Sequence, residues 1–208
     1  MTPDLLGGFR ALPPHGIAGL VMMLLYAAQS ELRFGAKARS HRAGGSDRKS
    51  TFILSLASLV PVAGFVLAMK SGSSWVPQAF RAPSLPGMPG VAWLGVALAG
   101  GGLALRAWAV VTLRERYTRT LMTHAEHAFE RRGPYRRVRH PGYLGSLLCL
   151  NGIAMASGSA VVLLASLAAT VAAYAYRIRV EDEMLVRTFG EPYAAYKREV
   201  NALLPLKR

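Results

Sequence analysis

Residues 141–176 read PGYLGSLLCLNGIAMASGSAVVLLASLAATVAAYAY and contain no Asp, Glu, Lys or Arg. As one helix this stretch would be about 54 Å long, almost twice the roughly 30 Å hydrocarbon core of a bilayer. Ser157-Gly158-Ser159 lies near its middle and is typical of a turn. The stretch therefore predicts a membrane helical hairpin with two short arms, about 143–157 and 159–176.

Three further apolar stretches precede the hairpin. Residues 11–30, 50–69 and 82–105 carry no charge, and the third apolar pattern continues past Arg106 to Leu113. Each is long enough for one membrane span. Only 17% of the chain is charged and 52% is hydrophobic, whereas a soluble domain has about 25% charged residues. We predict an all-α, multi-pass membrane bundle of about five helices in one domain, 1–208, with three spans in 1–113.

The basic residues are distributed unevenly along the chain. The net charge is +14, and 21 of the 25 lysine and arginine residues lie in segments 33–49, 114–139 and 177–208. With five spans these segments share one side, so the positive-inside rule predicts an outside N-terminus and a cytoplasmic C-terminus. Long uncharged blocks argue against a nucleic-acid-binding domain. The basic cytoplasmic loops, 33–50 among them, are expected to bind anionic lipids of the inner leaflet. A signal peptide in the first stretch would instead leave four spans.

Segment 114–140 is polar and holds three of the five histidines, His124, His127 and His140. No nearby Cys or His completes normal zinc spacing, and the single cysteine lies in an apolar run, so we predict no metal site. Because His140 precedes a proline, it is pushed out of helical geometry, and Pro141 suits the first position of the fourth helix.

Two charged features remain. Arg177 and Glu181 are four residues apart and share one helix face, where they form either a surface ion pair or a site for a zwitterionic ligand. Arg106 lies inside the third span, where an ionisable residue costs about 2.5–3.5 kcal/mol. It should face the bundle interior and a partner, or extend to the membrane rim beside Trp108.

Several motifs together resemble one family. They are RHPGYLG at 139–145, the acidic pair Glu181-Asp182 and FGEPYAAY at 189–196. The chain resembles, over about 103–205, the isoprenylcysteine carboxyl methyltransferase family, whose looser relatives include phospholipid N-methyltransferases and bacterial membrane methyltransferases. The resemblance implies a methyltransferase of the prokaryotic cytoplasmic membrane that uses S-adenosylmethionine. Its cytoplasmic cofactor pocket would lie between the hairpin and segments of 114–208 on either side.

The resemblance also implies roles for individual residues. Arg177, Glu181 and His140 would be catalytic, with Arg177 and Arg106 facing the methyl acceptor. Asp182 stands where the family usually has a second glutamate, and Glu130 where an apolar residue is common. The residues along the cofactor would be His127, Ala128, Phe129, Glu130, Tyr135, His140, Pro141, Gly142, Tyr143, Glu181 and Asp182.

Three acceptor classes fit these residues. A carboxylate is already ionised at neutral pH, and Arg177 could align it by paired hydrogen bonds. An amine must lose a proton, which makes Glu181 or His140 a candidate base. Basic surroundings would favour the thiolate form of a thiol. A carboxylate on a lipophilic or small acceptor, as in isoprenylcysteine-like O-methylation, is favoured.

Other classes of protein are also compatible with the sequence. A non-catalytic membrane protein would use its basic loops to bind lipid or a partner, and a relative of the membrane sterol reductases would bind a nicotinamide cofactor. A transporter would need paired charges at the bilayer midplane. Gly100-Gly101-Gly102 would allow close helix contact, either in a homodimer or within one chain.

Overall fold

The computed structural model describes residues 13–32, 49–70, 87, 89–113 and 129–205. These residues form helices and turns and contain no strand, which confirms the all-α prediction. The described residues contain six α-helices: α1 (Pro14–Leu32), α2 (Ser50–Met69), α3 (Gly90–Leu113), α4 (Pro141–Ala156), α5 (Ala160–Phe189) and α6 (Glu191–Glu199). A single turn of 3-10 helix, Gly133–Arg136, leads towards α4.

Three of these helices, α2, α3 and α5, are long and apolar enough to cross a membrane. Helix α2 has the predicted bounds, while α3 begins at Gly90 and the stretch before it lies largely outside the described residues. Helix α4 is a shorter apolar helix of 16 residues, and α1 has 19. Helix α3 packs mainly on α4, and α2 packs on α5.

The hairpin forms at the predicted turn, but its second arm is much longer than predicted. Gly158 adopts φ +74°, and the Ser159 side chain caps α5 by accepting from the Val162 amide at 3.4 Å. Helix α5 then runs for 30 residues to Phe189, about 45 Å. The predicted end at residue 176 was wrong because the charged residues that follow are held by other elements. The helix ends only at Gly190, with φ +61°.

Helices α3 and α4 touch through their backbones. A Cβ atom on Gly102 would lie 2.5 Å from the Cys149 amide nitrogen and the Gly145 carbonyl oxygen. One on Gly152 would lie 2.5 Å from the Gly95 carbonyl oxygen. Small residues are what permits such close approach of membrane helices. The glycine contact predicted for the third span is therefore made within the chain.

Arg106 faces the bundle interior, as predicted, and has polar partners there. Its Nη1 donates to the Ser146 hydroxyl, and its Nη2 donates to Ser30 Oγ at 3.4 Å. The guanidinium carbon lies 5.1 Å from the centre of the Tyr26 ring. The arginine thereby ties α1, α3 and α4 together instead of extending to the rim.

Candidate active site

Polar side chains converge where α2 and α4 begin and the charged half of α5 passes them. The segment before α4 supplies Arg139 and His140, and α5 supplies Arg177, Glu181 and Asp182. Most of these side chains are buried, since Arg177 is only 2% exposed and Asp182 only 3%. Glu181 differs, because 23% of its side chain is exposed. Glu181 is therefore the most exposed of these five side chains.

Asp182 is the centre of the buried part of the cluster. Its Oδ1 accepts from the Tyr193 hydroxyl at 2.7 Å and lies 3.0 Å from His140 Nε2. Its Oδ2 accepts from Arg139 Nη2 at 2.9 Å, and Lys197 Nζ lies 3.6 Å away. Burial, and then the Asp182 charge, raise the pKa of Tyr193 far above its usual range, so Tyr193 remains a neutral donor. Asp182 thus joins α5, α6 and the segment before α4.

His140 is fixed in position by its backbone and its ring. As predicted, it lies outside helical geometry, with φ −122° and ψ 61°, and α4 begins at the following proline. Its ring stacks on Tyr143 with centroids 5.4 Å apart, and its Nδ1 lies 3.8 Å from Glu181 Oε2. The ring thus lies between two carboxylates, Asp182 on the Nε2 side and Glu181 on the Nδ1 side. The partly exposed Glu181 carboxylate is the group here that suits a cationic N–H donor.

Arg177 and Glu181 meet through a tyrosine instead of forming the predicted direct pair. The Tyr143 hydroxyl donates to Glu181 Oε2 at 2.5 Å, and Arg177 Nε donates to the same hydroxyl at 3.0 Å. Arg177 Nη1 also donates to Ser50 Oγ at 2.7 Å and Thr51 Oγ1 at 2.8 Å. One chain of hydrogen bonds therefore runs from the start of α2 to Glu181.

The predicted cofactor residues before α4 lie around α6. The Phe129 ring contacts Tyr193 edge to face at 5.2 Å, and the Tyr135 carbonyl accepts from the Tyr196 hydroxyl at 2.5 Å. Glu130 accepts from Arg132, and this hydrogen bond lowers the pKa of Glu130. His127 and Ala128 lie outside the described residues.

The start of α4 places the remaining predicted residues beside the cluster. Pro141 and Gly142 are buried in its first turn, next to His140. Arg106 is one layer deeper, since its partner Ser146 accepts from Arg106 and donates to the Gly142 carbonyl at 3.0 Å. The structure brings His140, Tyr143, Arg177, Glu181 and Asp182 together and leaves Arg106 in the layer behind them.

Sequence reasoning gave no role to five residues of the cluster. In the sequence, Ser50 and Thr51 are only two polar residues at the start of an apolar helix. They are far from α5 along the chain, so nothing in the sequence indicates their contact with Arg177. Tyr193 lies in the FGEPYAAY motif, which carried no assigned function. Arg139 is the first residue of the RHPGYLG motif but had no predicted role of its own, and Lys197 is one of the basic residues of the C-terminal segment. Arg139 in fact also donates to the carbonyls of Lys197 and Val200.

Tyr193→Phe should lower the free energy of unfolding by about 1–3 kcal/mol, because Asp182 loses a buried hydrogen-bond donor. The effect can be measured by chemical denaturation in detergent. In an Asp182→Ala background the same substitution should cost almost nothing, since the partner is already absent. Equal losses in both backgrounds would show that the hydroxyl acts elsewhere.

Known proteins resemble this chain in sequence and in fold. Residues 91–192 match the phospholipid methyltransferase family. A probable protein-S-isoprenylcysteine O-methyltransferase of Oryza sativa subsp. indica is 31% identical over 150 residues, covering 68% of this chain and 75% of that protein. A cobalt-zinc-cadmium resistance protein of Cupriavidus metallidurans is 36% identical over 113 residues, covering 54% and 46%.

One solved structure has the same fold. It is a eukaryotic intramembrane Ras methyltransferase, isoprenylcysteine carboxyl methyltransferase, which superposes with a TM-score of 0.55 at 20% sequence identity. The match covers 74% of this chain and 52% of that one, so this chain corresponds to about half of the larger protein.

Proposed function

Because the chain belongs to the isoprenylcysteine carboxyl methyltransferase family of integral membrane methyltransferases, we propose that it methylates a carboxylate on a lipidated acceptor. The methyl donor would be S-adenosylmethionine. The observation that carries the proposal is the hydrogen-bonded series Arg177–Tyr143–Glu181 beside His140. It places a buried cation, a phenol and a partly exposed carboxylate at one end of a membrane bundle.

The residues present fit this cofactor. S-adenosylmethionine carries an ammonium group, and the partly exposed Glu181 carboxylate, whose Oε2 lies 3.8 Å from His140 Nδ1, would accept hydrogen bonds from it. Residues 140–143 would line the bound cofactor, and Tyr143 would hold the Glu181 carboxylate towards it. When bound, S-adenosylmethionine supplies a methyl group that the sulfonium charge has already activated. Asp182, which has four protein partners, would hold His140 in position beside the cofactor.

A carboxylate acceptor requires only binding and alignment from the protein. It is ionised at neutral pH, so no proton has to be removed and no general base is needed. Arg177 can attract and orient it, since its guanidinium is held by hydrogen bonds at both Nε and Nη1 and a planar cation suits carboxylate geometry. Alignment of the two reactants then supplies most of the rate acceleration.

The match to the phospholipid methyltransferase family favours a second candidate, an amine acceptor. Such an acceptor must lose a proton. Glu181, which is partly exposed, or the adjacent His140 would take it. A lipid with a primary amine and a prenylated cysteine with a free carboxylate therefore distinguish the two candidates when offered to the same purified protein.

The membrane arrangement forms part of the proposal. The chain would be one domain in a prokaryotic cytoplasmic membrane, with its N-terminus outside and the site at the cytoplasmic rim. Exposed arginines near the site, among them Arg132, Arg136, Arg137 and Arg187, would bind anionic headgroups. A lipidated acceptor could then enter sideways between helices. Homodimer formation stays a prediction.

The first test is calorimetric titration of the detergent-purified protein with S-adenosylhomocysteine. We expect micromolar binding by the parent and at least tenfold weaker binding by Glu181→Ala and by His140→Ala. Glu183→Ala is the matched control, because its side chain is 50% exposed and lies on the other side of Asp182. No binding by a folded parent would overturn the proposal and favour a non-catalytic protein.

A further inference from the structure

Two hydroxyl side chains at the start of α2 hold the arginine of the candidate site. Ser50 Oγ and Thr51 Oγ1 lie 2.7 and 2.8 Å from Arg177 Nη1, and both accept from it. Ser50 is completely buried. These residues are more than 120 positions from Arg177 in the sequence and lie outside the matched region, 91–192. The N-terminal half of the chain thus reaches into a site whose other residues come from the C-terminal half.

The two hydroxyls are part of a set of hydrogen bonds, called here the seat, that holds the Arg177 guanidinium. Tyr143 accepts from Nε at 3.0 Å, while Ser50 and Thr51 accept from Nη1. Hydrogen bonds at two different nitrogens of a planar group define the orientation of its plane. Because these partners lie on α4 and α2, the plane is set by two helices other than the one that carries Arg177.

The chemistry of the holding groups suits a cation that must attract an anion. Hydroxyl oxygens orient an arginine through hydrogen bonds and add no negative charge. The N-terminus of α2 adds the positive end of a helix dipole near the same guanidinium. Lys49, just before Ser50, has φ +61° and is the one non-glycine residue with positive φ in the part of the chain that the structure describes. The two hydroxyls thus directly follow a residue in a backbone conformation that non-glycine residues rarely adopt.

We propose that Ser50 and Thr51 are positioning residues that aim Arg177 at the carboxylate of the methyl acceptor. This inference rests on the proposed function, because it assigns α2 a part in the same methyl transfer. It also predicts that loss of the two hydroxyls lowers the rate of methyl transfer to a carboxylate acceptor and leaves the affinity for the methyl donor unchanged.

The test compares the double variant Ser50→Ala, Thr51→Val with the parent, using a prenylated cysteine with a free carboxylate as the acceptor. A misplacement of about 1 Å can cost 100-fold in rate, so we expect kcat/KM for the acceptor to fall about 10–100-fold. Affinity for S-adenosylhomocysteine should stay within about twofold, because the hydroxyls bond to Arg177 and not to Glu181 or His140.

Two further variants separate positioning from general damage to α2. Ser58→Ala removes a hydroxyl that bonds only within α2, to the Leu54 carbonyl at 2.8 Å, and should leave the rate unchanged. Thr51→Ser keeps the acceptor oxygen and should retain activity, whereas Thr51→Val should lose it. Equal rates for Thr51→Ser and Thr51→Val would overturn the inference, as would an equal loss in Ser58→Ala.

A measurement without turnover completes the test. In ¹⁵N-arginine-labelled protein, the Arg177 Nη groups should be resolved in the parent, since they are held, and averaged by rotation in the double variant. The inference would be wrong if the double variant had the same Arg177 Nη signals and the same methyl-transfer rate as the parent. Failure of the proposed function would appear in the parent, which would neither bind S-adenosylhomocysteine nor methylate the acceptor.

Discussion

Asp182→Ala will lower the free energy of unfolding by about 3–5 kcal/mol, because it leaves a buried arginine without its counter-ion. Arg139 is 7% exposed and its Nη2 lies 2.9 Å from Asp182. The substitution also releases Tyr193 and His140 from a shared acceptor. Chemical denaturation in detergent measures the loss, and S-adenosylhomocysteine affinity should fall with it as His140 loses its orientation.

Glu183→Ala is the control for this prediction, since it removes a carboxylate one position further along α5. Its partner Arg187 is 3.9 Å away and both side chains are largely exposed. An exposed pair of this kind contributes about 0.5 kcal/mol or less. If the two substitutions cost the same, Asp182 does not hold the C-terminal helix to the rest of the site.

Gly102→Val will destabilise the protein by about 1–3 kcal/mol through overpacking, whereas Gly101→Val will change the stability by about 0.5 kcal/mol or less. A Cβ atom on Gly102 meets the α4 backbone at 2.5 Å, while one on Gly101 meets nothing within 4 Å. The added side chain must therefore push α3 and α4 apart in the first variant only. Thermal unfolding in detergent compares the two.

The same pair of variants should differ in activity. Helix α4 begins next to His140 and carries Tyr143, so a displacement of α4 moves both of these site residues. We expect Gly102→Val to lower methyl transfer at least tenfold and Gly101→Val to leave it unchanged. Similar effects from both substitutions would show that the α3–α4 contact does not set the geometry of the site.

Hydropathy and turn chemistry predict most of the fold. The bounds of α2, the turn at Gly158 and the start of α4 after His140 agree with the structure. The end of α5 at Phe189 could not be predicted, because hydropathy marks the end of the apolar arm near residue 176 and not the end of the helix. Arg177 and Asp182 are buried by contacts with α2, α4 and α6, so the helix continues through them.

The candidate site was only partly predictable for the same reason. The motif residues His140, Tyr143, Arg177 and Glu181 come together as the family resemblance implied. Their helix partners are set by tertiary packing, so Ser50 and Thr51 carry no local signal of their contact with Arg177. The resemblance places Asp182 along the cofactor, and the structure adds four protein groups around its carboxylate that the sequence does not reveal.

The site also depends on residues that are synthesised after the apolar helices. The backbone amides of Arg139 and His140 donate to the carbonyls of Asn201 and Ala202 at 2.9 and 3.0 Å. Residues 201–202 follow the apolar helices α1 to α5 in the sequence and are therefore synthesised after them. The two hydrogen bonds that hold the backbone of Arg139 and His140 can form only when this later segment is present. The geometry at His140 is therefore completed after the helices that determine the membrane topology have been synthesised.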